Sequence, residues 1–276
     1  SLTSLVGVSV HELMHSWYQM VLGFNESYYY WMDEGFTNYA AERVMNHLRS
    51  KGLIPGDPDP RPFESFYNGY IDLVMSGVEE PLSTHADHFE DAGAYGAAAY
   101  QKGALFLYQL EYVIGKPAFD QGLLDFFNTW KFKHPDDNDF IRVMEKSSGL
   151  ELDWYRDYMV YSLKTVDYSV DTVFAYQEQS AIILERIRDM PMPIDVVINT
   201  KAGTQLYYTI PLDIMRGAKE ERGPDDKPYE LLHDWNWVNP SYLFVVPFTP
   251  DQIQSVTIDP YMRMLDLDRE NNVWAY

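Results

Sequence analysis

The chain has 276 residues, in which 42 Asp and Glu outweigh 21 Lys and Arg for a formal net charge of −21. That balance argues against nucleic acid and against anionic membrane surfaces as partners, since both are held through basic contacts. With 46% hydrophobic and 16% aromatic residues the chain can bury a core, and with no cysteine it can hold neither a disulfide nor a thiolate metal site. The length suits about two domains, and no run approaches the ~20 apolar residues of a membrane span. No signal peptide is visible. The chain opens at Ser1 without Met and enters a helical pattern at once, which reads as the start of a fragment or processed form.

Leu5, Val6, Val10, Leu13, Met14 and Trp17 recur at three- and four-residue spacing and predict an amphipathic first helix. Residues 25–30 read as a polar and aromatic connection. Asp33 follows as the N-cap of a second helix, which presents Phe36, Tyr39, Ala40 and Val44 and is closed by Gly52. Pro55, Pro58, Pro60 and Pro62 make a stiff loop, whose Asp57 and Asp59 read as solvated rather than as a cation site. Further helices are expected at residues 66–78, 93–114, 117–130, 137–147 and 152–163, with Pro117 and Asp139 as starts and Gly115 and Gly149 as stops. Near Tyr168 the period changes. Strands are expected at residues 168–176, 182–187, 194–199, 206–210, 231–235, 242–246 and 256–258, separated by turns at 201–203 and 222–226. Short strands of this kind, rich in Val, Ile and Tyr, predict a β-sandwich. No internal repeat or low-complexity segment is present.

The chemistry sits in the first helix. His11-Glu12-Leu13-Met14-His15 places two imidazoles four residues apart, on one helix face, with Glu12 beside them. This is the H-E-x-x-H pattern of zinc hydrolases. Glu34 stands nineteen residues after His15, in the first turn of the second predicted helix. The ten-residue connection allows two antiparallel helices that bring Glu34 to the histidine face. Two neutral imidazoles and a carboxylate make a three-ligand site with an open fourth position, as catalytic zinc requires. Tyr100, in Tyr100-Gln101-Lys102-Gly103, can donate to an oxyanion if it lies nearby, though it is one of 22 tyrosines and spacing alone does not bring it there.

Together these motifs resemble those of the aminopeptidase N family of gluzincin zinc metallopeptidases. That family carries H-E-x-x-H, then Glu in an N-E-G-F-like motif, then a tyrosine in a Y-x-K-G-like motif about 65 residues on. The counterparts are His11, Glu12 and His15, then Glu34-Gly35-Phe36, then Tyr100 with Lys102-Gly103. Further similarity lies in Phe132-Lys133-His134-Pro135 with Asp139-Phe140, in residues 148–154, and in the ending from Ile258-Asp259-Pro260 to Asn271-Asn272. The resemblance implies an α+β multidomain fold. A mainly helical, thermolysin-like catalytic domain would span residues 1–166 and an all-β sandwich residues 167–276. It implies one Zn²⁺ held by His11, His15 and Glu34, with Glu12 as general base and Tyr100 as oxyanion donor, acting on a peptide substrate. By resemblance to bacterial members alone, an exported or periplasmic location is favoured.

The chain departs from the family at three points. Asp33 stands where the motif has Asn. The acid that usually follows the ligand glutamate by seven residues is replaced by Ala41, leaving Asn38 or Glu42 to orient a histidine. The G-x-M-E-N segment, which binds the substrate's α-amine, is absent, as is the N-terminal domain expected to precede it. Two other readings therefore stand beside zinc aminopeptidase: a zinc-binding fragment inactive without the upstream part, and an endopeptidase using the same site. Of the remaining histidines, His85 and His88 read as surface residues, and His47, His134 and His233 as isolated ones. The aromatic run at residues 28–31 lines a cleft or packs beside the metal helices, and Trp235 and Trp237 read as sandwich core or rim. The acidic surface reads as a solubility feature.

Overall fold

The computed structural model describes residues 1–223 and 228–276. The chain divides into two compact units: residues 1–111, 116–147 and 152–163 form one, and residues 112–115, 148–151 and 164–276 the other. Helices precede strands in chain order, so the class is α+β. Among the described residues no helix is long and apolar enough to cross a membrane.

Helix α1 (Leu2–Met14) is capped by Ser1, whose side chain accepts from Ser4 N. Helix α2 (Tyr30–Ser50) begins three residues before the sequence-expected cap. Tyr29, not Asp33, is its N-cap, and no side chain closes the turn. Burial is the reason: Tyr30 and Trp31 are each 1% exposed, and the Tyr30 hydroxyl donates to Leu82 O at 3.1 Å. Winding these aromatics into the helix inserts them in the core, which outweighs the roughly 1 kcal/mol of a side-chain cap. Of the aromatic run, then, Tyr30 and Trp31 pack, while Tyr28 remains exposed. Helices α1 and α2 run antiparallel. Gly7 faces Met45, His11 meets Asn38, and His15 meets Asp33 and Thr37.

The connection between them is clipped to a distant segment. Gly23 N donates to Lys133 O at 2.9 Å, and His134 Nδ1 donates to Gly23 O at 2.8 Å. The Phe132–Pro135 motif thus anchors the connection between α1 and α2 at Gly23.

Helices α3 (Glu64–Ser76), α4 (Ala92–Gly96), α5 (Gly103–Ile114), α6 (Lys116–Trp130), α7 (Asp137–Ser148) and α8 (Asp153–Tyr161) follow. Asp136 and Asp139 cap α7 reciprocally, each side chain accepting from the other's N–H. Gly115 and Gly149 take positive φ, +81° and +73°, as helix stops must. The single helix expected over residues 93–114 is instead broken by a π-helical turn at Ala97–Lys102, which closes with Gly103 N–H bonded to Ala98 O. The helical core is aromatic. Trp31 meets Phe106, Phe36 meets Phe140, and Phe126 meets Phe140, all with ring centroids 4.9–5.0 Å apart.

The second unit holds two sheets. One has the order β1 (Tyr168–Tyr176), β2 (Gln179–Arg186), β6 (Ser241–Val246). The other runs β5 (Glu230–Leu231), β4 (Gln205–Ile210), β3 (Ile194–Thr200), β7 (Ile253–Ile258), β8 (Val273–Ala275). Pairing is antiparallel except between β4 and β5. The strand expected at residues 231–235 shrinks to β5, because the chain leaves the sheet to bury Trp235 against Tyr168 and Tyr242. Strand β8 is not foreseen by the alternation, since Val273 and Ala275 on its one face are both exposed. The turn expected at residues 222–226 lies, from Pro224 on, outside the described residues.

Candidate metal centre

Three electron-pair donors converge between α1 and α2. His11 Nε2 lies 3.2 Å from Glu34 Oε2, His15 Nε2 lies 3.3 Å from the same oxygen, and the two Nε2 atoms are 3.1 Å apart. Among the described residues this is the one group of three metal-type side chains. A tetrahedral shell with bonds of about 2.05 Å has edges of about 3.3 Å, so the triangle has the size of one face of such a shell.

The tautomers follow from what stands behind each ring. Asn38 Nδ2 donates to Tyr100 O at 3.0 Å, which turns Asn38 Oδ1 towards His11 Nδ1 at 2.9 Å. That oxygen only accepts, so the proton of neutral His11 is on Nδ1 and its Nε2 carries a lone pair. His15 Nδ1 lies 3.3 Å from Tyr18 O and 3.2 Å from Thr37 Oγ1, with Asp33 Oδ1 at 2.8 Å in ion-pair contact. The Tyr18 carbonyl again only accepts, so His15 Nε2 is the free lone pair. Two lone pairs and a carboxylate oxygen therefore face one another with no proton between them. Glu34 Oε2 is buried and has no hydrogen-bond partner among the described residues. Such an arrangement is repulsive until a cation enters it, and nitrogen and oxygen donors of this kind fit Zn²⁺.

The charges on the carboxylates agree. Burial pushes Glu34 up, but the attraction of the His11 ring when protonated and the hydrogen bond from Tyr100 outweigh it and hold the carboxyl below its ordinary value. His11 is raised, chiefly because Glu34 stabilises its protonated form, so protons compete with a cation for the same lone pair and acid weakens metal binding. Burial pushes Asp33 up to about 6 against the opposing pull of His15.

Tyr100 comes to the centre on the π-helical turn. Its hydroxyl donates to Glu34 Oε1 at 2.7 Å, and its carbonyl accepts from Asn38. One residue thus touches one member of the trio directly and supports another through an amide. π-Turns of this kind are common at functional sites because they re-aim a single side chain. Lys102, two residues on, is buried and pairs with Glu79 at 2.7 Å.

The glycines that follow Glu34 and Lys102 lie against each other. A Cβ on Gly35 would stand 2.4 Å from Gly103 C, and one on Gly103 would stand 2.7 Å from Trp31 O. Gly35→Ala is therefore expected to destabilise the chain by about 3 kcal/mol, the upper end of overpacking, because backbone rather than a mobile side chain would have to move. A lowered urea midpoint with an unchanged m-value checks this.

Of the other residues singled out in the sequence, Glu12 is exposed on α1 beside His11. Glu42 does not serve the histidines: its carboxylate pairs with Arg49 at 3.2 Å. His85 packs edge-on against Tyr28 and beside His88, with no third ligand among the described residues. Sequence reasoning missed Thr37, Asp33 in its contact with His15, and the Lys102–Glu79 pair. A lone lysine in the apolar run Ala97–Leu105 signals a buried ion pair, but nothing local names Glu79 as its partner.

Comparison with known proteins gives a consistent result. Residues 1–159 match the peptidase family M1 domain. The chain is 27% identical over 147 residues to a leukotriene A-4 hydrolase homolog of Botryotinia fuckeliana, covering 49% of this chain and 21% of that protein. It is 29% identical over 141 residues to leucine aminopeptidase 2 of Sclerotinia sclerotiorum, covering 49% and 22%. The match thus spans about a fifth of the length of these relatives. Among solved structures, Legionella pneumophila aminopeptidase A in complex with aspartic acid superposes with a TM-score of 0.57 at 15% identity, covering 94% of this chain and 26% of that one, a likeness of fold.

Proposed function

The chain belongs to peptidase family M1, and from that premise we propose that it carries the metal centre of a zinc aminopeptidase. In this reading a thermolysin-like helical domain holds the ion and a β-sandwich follows it. The substrate's free α-amine is bound by a segment outside the present 276 residues. The observation that carries the proposal is the trio of proton-free donors, His11 Nε2, His15 Nε2 and Glu34 Oε2, held 3.1–3.3 Å apart.

His11, His15 and Glu34 would hold a zinc ion, whose Lewis acidity would lower the pKa of a water towards about 7 and polarise a peptide carbonyl. The chain's own groups do the rest. Asn38 and Tyr18 O keep both rings turned so that Nε2 faces inward. Glu12 takes the proton of the attacking water on its carboxylate and returns it to the leaving amine. The Tyr100 hydroxyl stays protonated, because burial and then the bond to Glu34 push it above its ordinary value. It can therefore donate to the oxyanion that forms as the carbonyl is attacked.

The test has two parts. Elemental analysis of the purified chain should find one zinc per polypeptide. The polypeptide extended through its upstream reading frame should hydrolyse an aminoacyl anilide and spare the N-acetylated form. Absence of zinc from both polypeptides would remove the metal reading. Equal hydrolysis of the free and acetylated substrates would replace the aminopeptidase by an endopeptidase.

A further inference from the structure

The two histidines are backed unequally. Behind His11 stands a neutral amide, Asn38, while behind His15 stands a carboxylate, Asp33. The Asp33 side chain is only 10% exposed, and its Oδ1 has no hydrogen-bond partner among the described residues. A buried carboxylate oxygen without a donor is unfavourable when ionised, so the fold must offset it elsewhere. The nearest offset is the His15 ring at 2.8 Å. A neutral imidazole offsets a charge poorly, whereas an imidazole whose other nitrogen binds a cation offsets it well.

The geometry points to Asp33 as the positioning residue of His15: its carboxylate orients the ring and makes Nε2 the stronger donor to a divalent cation. The inference rests on reading the trio as a zinc centre. Three oxygens surround His15 Nδ1, from Asp33, Thr37 and Tyr18, and Asp33 alone among them is charged. The Tyr18 carbonyl suffices to fix the tautomer, since it only accepts. What Asp33 adds is charge, passed through the ring to the metal-facing nitrogen. A carboxylate behind a ligating histidine raises its basicity, and losing such a partner costs 10- to 100-fold in metal affinity.

A purely structural role for Asp33 makes a different forecast. Asp33 lies in the first turn of α2, where a negative charge also favours the helix. If that were its whole contribution, removing it would lower stability and leave metal affinity alone. The experiment measures both quantities on Asp33→Asn, which keeps the shape and an acceptor, and on Asp33→Ala, which removes both. Zinc affinity is read at pH 7.5 by competition with a chromophoric chelator, and stability by urea denaturation of the metal-free chains. The expected result is a loss of affinity of about 30-fold for Asp33→Ala and about 5-fold for Asp33→Asn, with metal-free Asp33→Asn at least as stable as the parent. Zinc affinities within twofold of the parent for both variants overturn the inference while leaving the zinc centre intact. A parent chain that binds no zinc overturns the centre itself.

Discussion

Glu12→Gln in the zinc-loaded, upstream-extended protein should lower kcat by about 10³-fold, within the usual range for a general base, with zinc content unchanged. Glu12 follows His11 on α1, about 100° round the helix, and stays outside the ligand trio. It is exposed, so its carboxylate is open to a water. Glutamine has the same shape and solvation but cannot accept and return a proton. The variant therefore removes one chemical capacity and little else. Steady-state kinetics with elemental analysis of the same preparation separates the outcomes. Hydrolysis within threefold of wild type would show that another group moves the proton. A parallel loss of zinc would show that Glu12 supports the metal instead.

Tyr100→Phe should lower kcat by about 10²–10³-fold with little change in KM, as for removal of one oxyanion donor. Phenylalanine fills the same volume, so the π-helical turn and the bond from Asn38 to the backbone carbonyl at position 100 both persist. Only the hydroxyl is lost, and with it the donor now resting 2.7 Å from Glu34 Oε1. That resting contact marks how the residue is aimed. A KM raised in proportion, with kcat intact, would mean that Tyr100 binds substrate and does not act in the transition state.

The trio is legible in the sequence because its geometry is mostly local. Four residues separate His11 from His15 on one helix, and a short antiparallel connection returns Glu34 to the same level. Most strands are legible for the same reason, since short runs of Val, Ile and Tyr between turn residues are local, but β8 and the extent of β5 are not. Tertiary packing is what hides the rest. The start of α2 is set by burying Tyr30 and Trp31, which no capping pattern records. The π-turn inserts one residue into a helical period that reads as continuous, and its partners Glu34, Asn38 and Glu79 come from elsewhere in the chain. Glu42 illustrates the converse. It stands next to the family's usual position for the histidine's acid, but its carboxylate pairs with Arg49.

Because Gly35 and Gly103 share one backbone contact, the two motifs that carry Glu34 and Tyr100 form a single unit of variation. A side chain at either position forces the same separation of α2 from the start of α5. Once one is enlarged, the second substitution meets space already opened, so the paired change should be less harmful than the two added together. The cost to catalysis does not relax in the same way, since any separation draws the Tyr100 hydroxyl from Glu34. Under drift the pair is therefore held by epistasis from the fold and by purifying selection from the chemistry. A descendant that acquired a side chain at one position could regain stability through the other and still fail as an enzyme.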